Sequence, residues 1–402
     1  MKLGFFFIIL CLSIVFISYI TYNINEYMGN SLQQKEINFS NKKCHLITIP
    51  TTINQLIPLN EQFLIGAEYK FLDIYNFKAY LTNKIYDENL YLINTKNEKY
   101  SKIKIMDFPK RVPFHPHGLS LYKKSESDYI LYLVNHAVND LYDGEERIEK
   151  INVNFNSRKE EVNMIYDSTI VLPKEYFLKI DSITVINEDI FYFTTNNPFP
   201  SPTNSEVILD LKNNLLNIGY DYLKSFMNML NIKSCYVYRY NKNKVGNETD
   251  IISNSKSLLN KGIAYDKKRN LLYVVKAMEK QLNIFEINFD GGKYETKYIK
   301  SIPILYVGNN IYYDEKTDLI YIGIDGKMNE FDSIVYSYMK NKNFDEVDTF
   351  SGYEIIDPNN NYSIYDLMVM KNDFKWVSSA IQINEKNYMS SIFTNGIYVC
   401  QE

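Results

Sequence analysis

From Cys44 to the end of the chain, short apolar runs recur, most of them introduced by a turn residue and carrying an aromatic near the middle. Gln62-Phe-Leu-Ile-Gly-Ala, Asn89-Leu-Tyr-Leu-Ile, Tyr129-Ile-Leu-Tyr-Leu-Val and Asp189-Ile-Phe-Tyr-Phe-Thr are the first four. Asn270-Leu-Leu-Tyr-Val-Val, Asp318-Leu-Ile-Tyr-Ile-Gly and Lys386-Asn-Tyr-Met-Ser-Ser-Ile-Phe follow. β-Branched and aromatic residues between polar punctuation predict strands. Several runs are followed, after a short polar turn, by an alternating segment that predicts a second strand. These are Leu282-Asn-Ile-Phe-Glu-Ile-Asn-Phe, Ile334-Val-Tyr-Ser-Tyr and the closing Gly396-Ile-Tyr-Val-Cys400. Antiparallel hairpins repeated at separations of tens of residues predict an all-β chain folded as a β-propeller, because a sandwich or barrel needs fewer strands. The spacing is too irregular for WD40 or kelch arrays, whose signatures are absent.

Two stretches depart from this pattern. Residues 204–233 carry apolar positions at helical spacing: Val207, Ile208, Leu211, Leu215 and Leu216, then Tyr222, Leu223, Phe226, Met229 and Leu230. They predict one or two amphipathic helices, read either as an insertion packed on the propeller or as a lid or membrane-surface contact. Residues Leu3–Tyr22 are almost wholly apolar, about the length needed to cross a bilayer. With Lys2 before it and no small-x-small cleavage site after it, the segment predicts an uncleaved signal anchor, the alternative being a cleaved signal peptide. Residues 23–43 then form a polar stem, and 44–402 the body. Either outcome places the body in the lumen or outside the cell, held at the membrane by the anchor or secreted if the signal is removed.

That compartment changes the meaning of two other features. It permits a disulfide among Cys44, Cys235 and Cys400. A Cys44–Cys400 bridge would close the body on itself and leave Cys235 as the odd thiol. The Asn-x-Ser/Thr triplets at Asn38, Asn247 and Asn361 become candidate glycosylation points. The net charge of −4, spread without a basic stripe, disfavours nucleic acid as a partner.

The chain has 4 histidines. His115, His117 and His136 fall in Phe114-His-Pro-His-Gly-Leu-Ser and Leu133-Val-Asn-His136; His45 stands apart. Histidine exchanges protons near neutral pH, so a local cluster in a histidine-poor chain is a candidate site. By spacing alone, structural histidines at a strand end are the favoured reading. There is no Gly-x-Ser-x-Gly elbow for serine hydrolysis, and no His-Glu-x-x-His or paired Cys-x-x-Cys for zinc.

The two histidine segments resemble the Phe-Asn-Pro-His-Gly-Ile-Ser and Val-Val-Asn-His segments of the paraoxonase/arylesterase family of calcium-dependent lactonases, at the family's spacing. Asp181-Ser-Ile-Thr-Val with Ile190-Phe-Tyr-Phe-Thr-Thr-Asn-Asn is similar to the family's next blade. Asn309-Asn310-Ile-Tyr-Tyr-Asp-Glu-Lys-Thr with Leu319-Ile-Tyr-Ile-Gly is similar to a later strand pair, and the tail to its last blade. The His-Gly-x-Ser…Val-Asn-His spacing favours this family over the related gluconolactonase and strictosidine-synthase-like propellers.

The resemblance implies a six-bladed β-propeller with an N-terminal anchor, its first and last strands joined by Cys44–Cys400. It implies calcium in the central channel, His117 as general base and His136 as the residue that holds and assists it. The metal ligands it implies are Asp181, Asn309, Asn310 and the backbone carbonyl of Leu119. It also exposes departures. Family carboxylates fall at Ile53, Asn54 and Ser182; an Asn position falls at Lys261; a pocket histidine falls at Asp325; and His115 replaces an Asn. Lys261 paired with Asp181 would stand in for the calcium, whereas a one-residue shift would bring Asn260 inward instead. Two functions follow as expectations. One is a hydrolase of lipophilic lactones or aryl esters with an eroded ligand set. The other is an inactive relative that binds or chaperones a membrane-protein client.

Overall fold

The runs built on a central aromatic become second strands of blades, except Asn89-Leu-Tyr-Leu-Ile, which becomes a third strand; these strands are covered on both faces. The computed structural model describes residues 43–70, 88–137, 145–156, 159–172, 179–197, 231–244, 248–290, 293–341, 346–372 and 374–401, with Ser18, Thr21, Tyr22 and Met227 besides. These form six separate sheets. Strand β1 (Lys43–Ile47) joins the last of them. Blade 1 holds β2 (Ile53–Pro58), β3 (Phe63–Glu68), β4 (Leu90–Asn94) and β5 (Tyr100–Ile103). Blade 2 adds a short outer strand, β6 (Ile105–Met106), parallel to its fourth. Its remaining strands are β7 (Pro116–Lys123), β8 (Asp128–Ala137), β9 (Glu145–Asn156) and β10 (Glu161–Val171). Blade 3 is β11 (Lys179–Asn187), β12 (Ile190–Asn197), β13 (Val237–Asn241) and β14 (Thr249–Ile251). Blade 4 is β15 (Asn260–Asp266), β16 (Leu271–Lys276), β17 (Gln281–Asp290) and β18 (Lys293–Pro303). Blade 5 is β19 (Val307–Asp314), β20 (Leu319–Asp325), β21 (Phe350–Asp357) and β22 (Ser363–Lys371). Blade 6 is β23 (Val377–Ile383), β24 (Lys386–Ser391), β25 (Ile397–Gln401) and, outermost, β1.

First strands of neighbouring blades contact one another around the ring, so the six blades close as a propeller. Each junction between blades is filled by its own apolar cluster. Tyr132, Tyr192, Tyr273, Tyr321 and Tyr388, the central aromatics of five second strands, are all but completely buried. Burying such a ring contributes roughly 1.5–3 kcal/mol, and its hydroxyl then needs a partner. Four reach the next blade: Tyr132 donates to Glu188 O (2.8 Å), Tyr321 to Gln382 Oε1 (3.1 Å) and Tyr388 to Thr95 O (3.3 Å), while Tyr192 shares a bond with Thr296 Oγ1 (2.7 Å).

The ring is closed by β1 pairing antiparallel with β25, and Cys44 and Cys400, direct register partners, form a disulfide. Cys235 is buried outside any disulfide, its Sγ donating to Leu258 O at 3.3 Å. The segment Ile334-Val-Tyr-Ser-Tyr is not a strand. It lies in helix α1 (Met328–Asn341). Phe331, Ile334 and Val335 share one helical face and pack against Trp376, Ile392 and Phe393, so a 3.6-residue period wins over the two-residue one. Among the described residues, no helix is long and apolar enough to cross a membrane. The expected anchor over 1–22, the stem and the helices over 204–233 lie almost wholly outside the described residues, as do Asn38 and Asn247. Asn361 is described, exposed in a turn after β21 with left-handed backbone.

Candidate functional site

Every first strand loses register with its second strand near its start. The breaks fall between Ile53 and Gln55, Pro116 and Leu119, Ile180 and Ile183, Asn260 and Ile263, Gly308 and Ile311, and Val377 and Ser379. A bulge releases residues from the ladder and re-aims their side chains. The released residues are Asn54, His117-Gly118, Asp181-Ser182, Lys261-Gly262, Asn309-Asn310 and Ser378, and they meet one another around the middle of the ring. Ser378 Oγ donates to Asn54 O at 2.6 Å. Leu119 N donates to Gln55 Oε1 at 2.6 Å. Glycine permits the closest approaches. A Cβ on Gly118 would come within 2.9 Å of Asp181 O and Ser182 Cα, and one on Gly262 within 2.4 Å of Ile311 N.

His117 Nδ1 lies 2.7 Å from Asp181 O. A carbonyl only accepts, so His117 carries its proton on Nδ1 and its lone pair on Nε2. His136 packs beside it, with ring centroids 4.8 Å apart. His136 Nδ1 lies 2.7 Å from Glu146 Oε2, so this ring also donates from Nδ1, while its buried Nε2 has no partner. Tyr69 meets His117 edge-on at 5.2 Å between centroids. Burial first, and then the charge of His136, pushes the His117 pKa down to about 3. His117 is therefore neutral near neutral pH.

Beside the histidines, Lys261 Nζ lies 3.4 Å from Asp181 Oδ1, which also accepts a 2.7 Å bond from Asn196 Nδ2. Burial favours the neutral form of Lys261, but Asp181 and then Asp325 outweigh it and hold its pKa above the ordinary value. Burial likewise works against the Asp181 carboxylate, and Lys261 and His117 outweigh it, so its pKa falls. Asp325 accepts from Asn309 Nδ2 at 2.8 Å, and burial pushes it up to about 7 against the pull of Lys261.

A family model described as Arylesterase matches residues 36–337 of this chain. The chain belongs to the arylesterase family. No curated protein matches it. Among solved structures, the chain is similar to a luciferin-regenerating enzyme at 8% identity, with 90% of this chain and 96% of that one covered and a TM-score of 0.47. It is similar to a gluconolactonase from Xanthomonas campestris at 8% identity, covering 90% of both chains with a TM-score of 0.45. It is similar to the major allergen Mala s 1 of Malassezia sympodialis at 10% identity, covering 90% and 96% with a TM-score of 0.48.

Arylesterase-family members are calcium-dependent, so the donor set here must be tested against that ion. Calcium takes about six to eight oxygen ligands, several of them anionic. Among the released residues the one carboxylate is Asp181, and it faces an ammonium. Asn309 donates its amide to Asp325, and both polar side-chain atoms of Asn310 are buried without partners. Asn260 does not take Lys261's place: its Nδ2 is directed to Ser255 O at 3.3 Å. Among the described residues, no group of three or more His, Cys, Asp and Glu is arranged to hold a metal. Lys261 beside Asp181 adds positive charge where a divalent ion needs negative charge, so the residues do not fit calcium.

Three residues of this arylesterase-family centre escaped the sequence reading. Glu146 is directly opposite His136 in the β8–β9 register, which composition does not disclose. Asn196 lies in the Thr-Thr-Asn-Asn segment already visible as a family likeness. Tyr69 sits just past β3, where an isolated aromatic carries no signal. His115 has an anchoring role: its backbone N–H donates to Asn135 Oδ1 at 2.8 Å, its carbonyl accepts from His136 N at 3.1 Å, and its ring faces Glu88 at 3.5 Å. His45 pairs with Glu98 on the surface.

Proposed function

We propose that this arylesterase-family chain hydrolyses carboxylic esters, either lipophilic lactones or aryl esters, at the centre of the propeller. The observation that carries the reading is the sequence of contacts from Glu146 to His136 to His117. Glu146 holds His136 in one tautomer, and His136 packs on His117, whose Nε2 keeps its lone pair. His117 takes a proton from water as the water oxygen bonds to the acyl carbon. The resulting tetrahedral adduct breaks its bond to the alkoxy or aryloxy oxygen, and that oxygen leaves with the proton from His117. Neither step is routed through calcium. The test is turnover of an aryl acetate and a lipophilic lactone by the purified full chain. His117→Gln should lower kcat/KM by roughly 100-fold or more. Absence of turnover in the wild-type chain on both substrate classes would sink the reading.

A second reading draws on the Lys261–Asp181 pair. That contact neutralises the centre, as expected of a relative that has given up catalysis and binds a membrane-protein client. The apolar Leu3–Tyr22 segment supports a membrane-anchored chain with a lumenal or extracellular body, and Asn361 is an exposed acceptor for glycosylation there. Co-purification with a membrane protein that persists in His117→Ala, without esterase turnover, favours this second reading.

A further inference from the structure

We propose that Lys261 is the resident cation of the propeller's centre and makes both its fold and its chemistry independent of divalent metal. Its side chain keeps 21% exposure while that of its partner Asp181 keeps 1%, so the ammonium lies between a buried carboxylate and the channel. Three restraints hold it. Thr194 Oγ1 donates to Lys261 O at 2.6 Å, the register break frees its side chain from the ladder, and Gly262 lets β15 close on the backbone of Asn309 and Asn310.

The charges decide the occupant. The other released residues, Asn54, Ser182, Asn309, Asn310 and Ser378, are neutral. Lys261 and Asn196 both engage Asp181 through Oδ1, while its buried Oδ2 has no hydrogen-bond partner. A divalent ion added here would meet a like charge at short range with one carboxylate already engaged, and such repulsion is strong away from bulk water. Buried polar atoms at Asn54 Nδ2, Ser182 Oγ, both side-chain atoms of Asn310 and Asp181 Oδ2 have no hydrogen-bond partner. All but Asp181 Oδ2 are neutral groups of the kind water satisfies, and a single carboxylate oxygen beside an ammonium is not a cage for a hard cation.

An ammonium has three donors, and Asp181 is the side-chain partner of Lys261 among the described residues. The remaining donors suit one ligand class, an acyl or carboxylate oxygen. In this part the inference rests on the hydrolase reading: Lys261 would stabilise the oxygen on which charge develops.

The experiment measures Tm of the full chain with 5 mM calcium, with a chelator, and with neither, the ~5 mM being in excess of typical extracellular-site affinities. The three wild-type values should coincide. Lys261→Met should lower Tm on the order of 5 °C by stranding Asp181, and Asp181→Asn in the same chain should restore most of the loss. Lys261→Arg, which keeps the charge, should melt near wild type. A chelator-induced fall in wild-type Tm that calcium reverses overturns the proposal, as does a Lys261→Met chain as stable as wild type. Should Lys261→Met fail to fold, the wild-type chelation series still decides. Where the chain turns over ester, turnover should survive the chelator. A chain without esterase activity but with chelator-insensitive Tm defeats the hydrolase reading and leaves the resident cation standing.

Discussion

Glu146 stands directly across the β8–β9 ladder from His136, with its Oε2 2.7 Å from His136 Nδ1. The same oxygen accepts a 3.3 Å bond from Ile180 N in the next blade. A carboxylate at that place fixes which imidazole nitrogen carries the proton. Glu146→Gln keeps the shape and removes the charge. It should lower kcat for ester hydrolysis by roughly 10- to 100-fold with KM little changed. A merely structural role would lower stability and leave the kcat of the folded chain in place, so kcat measured beside Tm is the deciding pair.

Gly118 sets the distance between two blades. A methyl group there would meet Asp181 O and Ser182 Cα at 2.9 Å and Val134 Cγ2 at 3.0 Å. The first two are backbone and cannot swing away. Gly118→Ala should push β7 from β11, lengthen the His117–Asp181 bond, and lower stability by about 1–3 kcal/mol. Chemical denaturation measures the first effect and kcat the second; an alanine variant equal to wild type in both would show that the strands have slack the geometry denies.

Glu354 in β21 is 1% exposed, accepts from Leu305 N at 3.1 Å through one oxygen, and leaves the other without a partner. Burial pushes its pKa up to about 7. The folded value exceeds the unfolded one, so the folded state binds the proton more tightly. Its contribution is full below the ordinary glutamate pKa and is lost as pH rises through about 7. Ionised at higher pH, this carboxyl costs at most about 3 kcal/mol. Glu354→Gln should therefore match wild type near pH 4–5, close to the ordinary carboxyl pKa of ~4.3, and exceed it near pH 8, a unit above the folded pKa of about 7. Parallel Tm curves across that range would refute the assignment.

The disulfide joins residues 356 positions apart, so cutting it releases nearly the whole body in the unfolded state. Chain-entropy reasoning gives a loss on the order of 2–5 kcal/mol for Cys44→Ser with Cys400→Ser. Urea unfolding of the double variant should show a lower midpoint with an altered slope, since an uncrosslinked unfolded chain exposes more surface. Removing Cys235, which forms no disulfide, should give no such slope change.

The second strands were legible because burial on both faces forces a continuous apolar run, and Tyr132, Tyr192, Tyr273, Tyr321 and Tyr388 each mark one. The blade count and the Cys44–Cys400 closure came from the family likeness rather than from periodicity. Five residues around Ile334 satisfy both a two-residue and a helical alternation, and the packing of Trp376 and Phe393, distant in sequence, selects the helix. In the centre, His117, His136, Asp181 and Lys261 were visible as motif positions, whereas their contacts depend on where each bulge falls. Glu146 could be found only with the hairpin register in hand, because the segment joining β8 to β9 sets which residue faces His136.

Cys44 is the second residue of β1, and its sulfur is bonded to its direct partner across the outermost ladder. Any tension reaching the body through the chain before residue 43 passes one strand residue and then enters a covalent bond. It is carried to Cys400 and into blade 6 as a whole. The hydrogen bonds from His45 to Ile47 are thereby shielded from being unzipped one at a time. The propeller is in this sense mechanically grounded at its seam: a pull on the chain before residue 43 loads the ring as a unit instead of peeling it open.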